Sequence, residues 1–533
     1  MFKCVGNLRY NDILQNPYEV KIDSLKKGVN LLEDYLIVKD SSIRVYNRKC
    51  DHLGGKIISN GDIHLCPIHK WIFNPLTGLY NNGLKKKESN YSIKNKKIII
   101  ENIKKIPQIT SSKNDLSTKI RFFNHAFLQV ESKNIKFATD PWAIGPAFNS
   151  GWWLKYPTKN DWEKELNSCD FIYVSHNHPD HLHPQTLNKI DKNIPIVVPN
   201  FISDSTGKYI SSLGFKRIFR LEFNKEYKLS GTDLFLSILK SGDFREDSGI
   251  YFSIGNLTCL FDVDSNIINF NKLPNVDVYA SSFGGGASGY PLMFENYTKQ
   301  ERKKILEKEK LIIKNFKYKT IKEIQPKYFI PYASYFEEKL IRDKEIKKMN
   351  KKNTVNDYKS LTKNMKINIL EIPKYDLFEF KNHRLVSYTN IKSLPTKDLK
   401  PEKYLSYFKN NYALFDLEYI KYYFKNSKFC DQLILIINLV DDNFDSSFEK
   451  FLIDFSSSKI IFKKLNEVNF VKIKNKYKNK KILYLKCRKE SFLHTVYNMN
   501  PWEDLLIGFQ CKVKRFPNSY NINFWNHFTN IYI

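Results

Sequence analysis

The stretch CDHLGGKIISNGDIHLCPIHKW, residues 50–71, decides the fold of the first part of the chain. It contains two pairs of metal-binding side chains, Cys50-x-His52 and, thirteen residues later, Cys66-x-x-His69. A zinc site can use the same four side chains, but zinc fingers usually pair two cysteines on one loop and two histidines on a helix. Here each of two loops supplies one thiolate and one imidazole.

This arrangement is what a Rieske [2Fe–2S] centre requires, because one iron takes both thiolates and the other takes both imidazoles. We therefore expect Cys50, His52, Cys66 and His69 to hold such a cluster, with a zinc site as the alternative. Histidine ligation raises the reduction potential above that of an all-thiolate cluster. The centre should therefore pass single electrons to a more oxidising acceptor. His64 is expected to be a surface histidine.

The pattern around this stretch predicts an α+β multidomain protein. Residues 1–110 have the short strands and frequent turns of a small all-β domain, and the polar stretch at 107–118 is typical of a linker. Strand-like and helix-like runs then alternate, which indicates an α/β domain at 119–390. A lysine- and proline-containing stretch precedes a C-terminal α/β segment at 400–533, whose role the sequence does not reveal.

A second cluster of metal-binding side chains lies in DFIYVSHNHPDHLHPQTL, residues 170–187, where an apolar strand leads into His176, His178, Asp180 and His181. This resembles the H-x-H-x-D-H motif of the metallo-β-lactamase fold, an αββα sandwich. The resemblance implies that these four residues bind one or two metal ions and carry the catalysis. The alternative is a polar turn between a strand and a helix, with Asp180 as the N-cap.

The same resemblance implies further ligands later in the chain. Asp243 and Asp264 are the candidates, and the last histidine of the fold is expected near FIPYASYF (329–336), where none stands. This departure favours a single non-haem iron, because two histidines and one carboxylate leave positions open for oxygen chemistry. Asp140 is expected to orient a ligating imidazole through its second N–H.

The composition of the chain indicates which kinds of partner and which compartment to expect. The formal net charge is +30, but lysines are spread along the whole chain without a recognised nucleic-acid motif, so we expect no nucleic-acid partner. The longest strongly apolar run, Leu433 to Val440, is too short to span a bilayer, and no membrane association is expected. Eight scattered cysteines lack the spacing of a disulfide scaffold, which favours a reducing, cytoplasmic compartment.

Several longer strings, spread in one order along the chain, resemble the CMP-N-acetylneuraminate hydroxylases (monooxygenases). They are DPWAIGPAFNSGWWL (140–154), YVSHNHPDHL (173–182), FGGGASGYPLMF (283–294), FIPYASYF (329–336), LLIGFQCKVKR (505–515) and FWNHF (524–528). The resemblance implies conversion of the N-acetyl group of a CMP-linked sialic acid, or of a related nucleotide sugar, to N-glycolyl. It also implies O2 as oxidant and electrons from cytochrome b5, a ferredoxin or a similar small carrier.

Two other functions remain open at this point. The chain could be a zinc-dependent hydrolase, for example a phosphodiesterase, in which the Rieske domain serves as a redox sensor. It could also be an electron-transfer protein whose second metal site is empty. The glycine-rich loop at 284–289 is either a tight turn or a nest of backbone N–H groups for the nucleotide phosphate.

Overall fold

A computed structural model describes residues 1–112, 114–266, 272–397, 399–457 and 459–530, and for Leu14 the backbone alone. The N-terminal region is built from short strands. These are β1 Phe2–Asn7, β2 Arg9–Leu14, β3 Tyr18–Lys21, β4 Gly28–Leu31, β5 Tyr35–Lys39, β6 Ile43–Asn47, β7 Ile58–Asn60, β8 Ile63–Leu65, β9 Ile72–Asn74, β10 Leu79–Tyr80, β11 Tyr91–Lys94, β12 Lys97–Ile100 and β13 Ile103–Gln108.

Strands β7 to β10 form an antiparallel sheet that carries the predicted cluster ligands. One ligand loop connects β6 to β7 and the other connects β8 to β9, so both loops leave the sheet at neighbouring positions. Leu36, Tyr46 and Phe73 pack beneath them in a small core that also contains Cys50 and Cys66. The expected all-β domain with the two ligand loops side by side is confirmed.

In its described residues, the central region contains two large sheets, a small three-stranded sheet (Pro146–Ala147, Trp152–Leu154 and Phe336–Glu337) and six α-helices. Its elements are β14 Thr118–Asn124, β15 Phe127–Ser132, β16 Ile135–Thr139, β17 Pro146–Ala147, β18 Trp152–Leu154, α1 Trp162–Asn167, β19 Phe171–Tyr173, α2 Pro184–Leu187, β20 Ile196–Pro199, α3 Ser205–Ser212, β21 Ile218–Leu221, β22 Lys225–Leu229, β23 Leu234–Lys240, β24 Ser248–Ile254, β25 Leu257–Val263, β26 Val278–Ser282, α4 Lys299–Ile324, β27 Tyr328–Tyr332, β28 Phe336–Glu337, α5 Lys344–Met349, α6 Val355–Thr362, β29 Asn368–Ile369, β30 Leu377–Lys381 and β31 Arg384–Thr389.

Two eight-stranded sheets stack face to face and enclose the main core. One has the order β1-β22-β23-β24-β25-β26-β27-β29 and the other β21-β20-β19-β16-β15-β14-β30-β31. Apolar side chains of both sheets, such as Phe137, Phe171, Phe252 and Phe261, share one buried cluster. Helices α1 to α3 cover one outer face, and α4 and α6 cover the other. The predicted αββα sandwich is confirmed.

The C-terminal region adds a further α/β unit, and its core is continuous with buried side chains of residues 142–154 and 292–294 of the central region. Its elements are α7 Pro401–Asn411, α8 Leu417–Asn426, β32 Leu433–Val440, β33 Ser447–Asp454, β34 Ile461–Lys464, α9 Phe470–Lys476, β35 Lys481–Arg488, α10 Lys489–Tyr497, α11 Glu503–Ile507, β36 Cys511–Phe516 and α12 Ile522–Asn530. The wholly buried strand β32 lies at the centre of a five-stranded sheet. Both faces of β32 are covered by other parts of the protein, and strands buried in this way are apolar along their whole length. The apolar run Leu433 to Val440 is therefore explained by the core of this sheet.

The chain starts in the sandwich, passes into the cluster domain after β1 and returns to the sandwich after β13. β1 pairs antiparallel with β22 at the edge of a central sheet, and β2 pairs with β13 in a two-stranded ribbon. The first strand therefore belongs by its hydrogen bonds to the sandwich, although it precedes the cluster domain in sequence. The domain boundaries at 110, 119, 390 and 400 stay predictions.

Helix α4, Lys299–Ile324, is a single strongly charged run. Its start is fixed by a capping box, in which Thr298 and Glu301 exchange hydrogen bonds. Only its C-terminal half is buried, at Thr320, Ile321 and Ile324 among others. Neither α4 nor any other helix in the described ranges is both long and apolar enough to cross a membrane.

Candidate iron–sulfur and metal centres

The two cysteines of the first site are almost fully buried. Cys50 and Cys66 expose 1% and 2% of their surface. The hydrogen bond with Cys50, followed by the backbone N–H groups of Ile68 and His69, lowers the pKa of Cys66 to about 6. A thiol whose anion is stabilised in this way is suited to bind metal, because the thiolate is the ligand.

The two histidines of the site face each other. The ring centroids of His52 and His69 are 4.6 Å apart, and the Nδ1 atom of each is buried with no hydrogen-bond partner in the described structure. A Cβ on Gly55 would lie 2.8 Å from the Cys66 sulfur, so only glycine leaves the space beside it. Two orphaned imidazole nitrogens and two buried sulfurs around one space fit a Rieske cluster.

Each of the two histidines also contacts a side chain outside the ligand set. The Nε2 atom of His69 lies 2.8 Å from a carboxylate oxygen of Glu309 on α4. The ring of His52 stacks on Trp71 at 4.8 Å with an interplanar angle of 9°. His64 is not a surface histidine: it is 7% exposed, because Ser59 across the β7–β8 hairpin bonds its Nδ1 at 2.6 Å. That expectation is wrong.

In the second site, the loop after β19 brings its histidines together as its spacing predicts. His176 Nε2 and His178 Nδ1 are 2.8 Å apart, and His176, His181 and Asp264 form one group that could hold a metal ion. We call the candidate metal-binding residues of this site the cradle; they are His125, His176, His178, Asp180, His181 and Asp264. Asp140 accepts a hydrogen bond from the backbone N–H of Ser175 at 2.7 Å and lies 3.2 Å from His181 Nδ1, which is the contact that its predicted orienting role requires.

A histidine that the sequence analysis did not identify completes a second group. His125, Asp180 and His181 lie within metal-binding reach of one another, and His125 Nε2 is 3.0 Å from an Asp180 oxygen. His125 is buried and has a φ of 41°. Such backbone strain in a residue other than glycine is concentrated at functional sites. The two groups share His181, whose Nδ1 already faces Asp140, so only one of the two groups can use this imidazole for an ion.

Asp243 lies outside both groups. Its carboxylate accepts hydrogen bonds from Ser241 at 3.0 Å and from the guanidinium of Arg245 at 2.8 Å. Asp247 lies closer to the cradle, with one oxygen 3.9 Å from His176 Nε2. Burial raises the pKa of Asp247, but Arg245 and the cradle histidines lower it to about 2. The candidate role of Asp243 as a ligand stays a prediction, and Asp247 is an additional candidate.

The C-terminal unit also reaches the cradle. A carboxylate oxygen of Glu503, the first residue of α11, lies 3.4 Å from His178 Nε2. Burial alone would lower the pKa of His178, but the Glu503 carboxylate raises it to about 9. A cavity opens beside His178, lined by Phe244, Arg245, Asp247, Glu503, Asn526 and Thr529 among others.

Comparison with known proteins agrees with both sites. Residues 14–93 match the Rieske [2Fe-2S] domain and residues 119–288 match the beta-lactamase superfamily domain. The chain is 27% identical to the cytidine monophosphate-N-acetylneuraminic acid hydroxylase of Pan troglodytes, over 96% of this chain and 92% of that protein. Identity to the protein of the same name from Danio rerio is also 27%, over 95% and 92%.

Among solved structures, the metallo hydrolase Igni18 from Ignicoccus hospitalis matches 50% of this chain and 98% of its own, with 13% identity and a TM-score of 0.35. The two family matches show that the chain joins a Rieske [2Fe–2S] domain to a metallo-β-lactamase-fold domain. Along nearly its whole length it is similar to the hydroxylases from Pan troglodytes and Danio rerio.

Proposed function

We propose that this protein is a monooxygenase that hydroxylates the N-acetyl group of a CMP-linked sialic acid, or of a related nucleotide sugar, to N-glycolyl. In this proposal Cys50, His52, Cys66 and His69 hold the [2Fe–2S] cluster. The cradle holds non-haem iron. Similarity to hydroxylases along almost the entire chain supports the substrate class.

One contact carries the proposal, because it joins the two sites. The side-chain amide of Asn266, two residues after Asp264, donates a 2.7 Å hydrogen bond to the carbonyl oxygen of His52. A predicted cluster ligand is therefore hydrogen-bonded to a residue two positions from a predicted cradle ligand. A redox sensor for a hydrolase does not need this proximity, whereas electron delivery to a metal does.

The bound groups would supply the chemistry that side chains lack: single-electron transfer from the cluster and oxygen activation at iron. The chain's own residues prepare the site for them. Asp140 holds the His181 ring in one orientation, and Glu503 does the same for His178. Burial of His125, His176 and His181 keeps bulk water from the reacting atoms.

The electrons are proposed to come from cytochrome b5, a ferredoxin or a similar small carrier in the cytoplasm. Each turnover consumes one O2, two electrons and two protons, and places one oxygen atom in the product and one in water. No second function is favoured by a specific contact. The experiment must distinguish this monooxygenase from the alternative, a zinc-dependent hydrolase.

Incubation of the reduced enzyme with CMP-N-acetylneuraminate under 18O2 tests the proposal. The product should be the N-glycolyl compound and should be heavier by one 18O atom. Cys66→Ser should abolish this product, whereas a metal-dependent hydrolysis would survive the substitution. Cleavage at the phosphate without any gain of 18O would contradict the proposal, and a related nucleotide sugar is the second substrate to test.

A further inference from the structure

Two side chains of the C-terminal unit lie between the cluster site and the cradle. The hydroxyl of Tyr520 donates a 2.8 Å hydrogen bond to one carboxylate oxygen of Glu503. The other oxygen of Glu503 is the one 3.4 Å from His178 Nε2. Glu503 therefore contacts a cradle histidine with one oxygen and Tyr520 with the other.

The ring of Tyr520 continues the contact to the cluster site. It packs against the small core of the cluster domain and stacks on Trp71 at 6.5 Å and 15°. Trp71 in turn stacks on the cluster ligand His52. The ring of Phe244 contacts both of these rings, with its centroid 5.8 Å from that of Trp71 and 6.0 Å from that of Tyr520.

The other cluster histidine has a different neighbour. His69 meets the carboxylate of Glu309, which is carried by α4 of the sandwich. The two carboxylates therefore form a matched pair: Glu309 contacts a cluster histidine and Glu503 contacts a cradle histidine. Of the two, Glu503 is also hydrogen-bonded to a tyrosine that packs against the opposite centre.

We propose that Glu503 and Tyr520 are positioning residues that couple the two centres. Glu503 holds His178 in the orientation that binds metal. The line from His52 through Trp71, Tyr520 and Glu503 is a second connection between the ligand sets, beside the hydrogen bond from Asn266 to His52. This gives the C-terminal unit a role. The positioning role of Glu503 stands on geometry alone, whereas the electronic role of Tyr520 rests on the proposed function.

Electron passage along this line is a balanced one-electron exchange. Each transfer oxidises the reduced cluster by one electron and reduces the cradle iron by one electron. The external carrier then re-reduces the cluster, so two transfers complete a turnover. The hydrogen bond from Tyr520 to Glu503 is the polar link in this line, and its loss leaves the aromatic stack in place.

Three variants of the full-length protein separate these roles. Glu503→Ala should weaken binding of Fe²⁺ or Zn²⁺ to the cradle about 10–100-fold, the usual effect of losing a carboxylate behind a ligating histidine. The EPR spectrum and reduction potential of its cluster should stay those of wild type. Glu309→Ala is the matched control and should alter the cluster potential while metal binding to the cradle is unchanged.

Tyr520→Phe keeps the ring and removes the hydroxyl. After reduction and mixing with substrate and O2, its cluster should reoxidise more slowly than wild type in stopped-flow measurements, at an unchanged cluster potential. Tyr290→Phe is the control for this variant. Tyr290 also lies near a cluster histidine, 6.4 Å from His69, but its hydroxyl contacts Tyr297. Its cluster should therefore reoxidise at the wild-type rate.

Wild-type metal affinity in Glu503→Ala, together with wild-type reoxidation in Tyr520→Phe, would overturn the coupling proposal. If Glu503→Ala does not fold, Glu503→Gln, which keeps the shape and one acceptor oxygen, should show a smaller loss of affinity. A wild-type enzyme whose cradle binds Zn²⁺ in the titration but supports no cluster reoxidation when it is loaded with iron would contradict the proposed function. The positioning role of Glu503 would still be decided by the Zn²⁺ titration.

Discussion

The backbone N–H of Ala333 donates a 2.7 Å hydrogen bond to the carbonyl oxygen of His125. This bond fastens the turn between β14 and β15 to the end of β27, on the far side of the sandwich core. It places the imidazole of His125 against Asp180. The segment where the fold's last histidine was expected thus receives a histidine from a distant part of the chain.

We therefore predict that His125 is a metal ligand. Because it belongs to the group with Asp180 and His181, His125→Ala should lower the iron content or the metal affinity of the cradle, by at least the roughly 10–100-fold that outer partners contribute. Metal analysis of anaerobically purified protein measures this. His383→Ala removes a histidine that pairs with Asp277 away from the cradle and should leave the metal content unchanged. An equal metal content in both variants would refute the assignment.

His178→Ala should remove cradle iron and abolish hydroxylation while leaving the Rieske EPR signal intact. The reason is that His178 lies in the loop after β19, whereas all four cluster ligands lie in the N-terminal domain. Iron quantification together with EPR of the reduced protein distinguishes the two centres. Loss of the Rieske signal in this variant would show that the two centres do not bind their metals independently.

Close backbone contact between the sandwich and the C-terminal unit predicts a stability effect. A Cβ on Gly508 would lie 2.2 Å from the Phe148 carbonyl oxygen, and one on Gly151 would lie 2.2 Å from that of Gly508. Each Gly→Ala substitution should destabilise the protein by about 1–3 kcal/mol, as overpacking does. Urea unfolding followed by tryptophan fluorescence measures the loss.

The double variant, Gly151→Ala with Gly508→Ala, is the internal control. Once one added Cβ has separated the two backbones, the second meets less resistance, so the double variant should lose less than the sum. Strict additivity would mean that the two glycines do not share one contact.

Sequence spacing predicted the residues whose partners are local. Each loop of the cluster site carries two predicted ligands within a few residues, and His176 to His181 are also close in sequence, so the sequence itself indicates which of these side chains lie together. His125 was missed because RFFNHAFLQVE (121–131) resembles one continuous strand. The structure divides it into β14 and β15 with His125 in the turn.

Residues that reach a site from distant elements leave no such pattern. Glu503 and Tyr520 become neighbours of the two centres only because the C-terminal unit packs onto the sandwich. Trp152 and Trp153 are buried and belong to the packed interior. In the glycine-rich loop, Ser334 Oγ already accepts from the N–H groups of Phe283 and Gly284. This occupies two donors that a phosphate would need.

The pairing of β1 with β22 has a consequence for how this protein can be taken apart. A fragment that starts at residue 119 lacks β1, so the rim of one sheet is left with a row of open N–H and C=O groups. Uncovered strands of this kind recruit other chains, and such a fragment should aggregate when expressed alone. Domain swaps between relatives must therefore carry the first seven residues together with the sandwich rather than with the cluster domain that follows them.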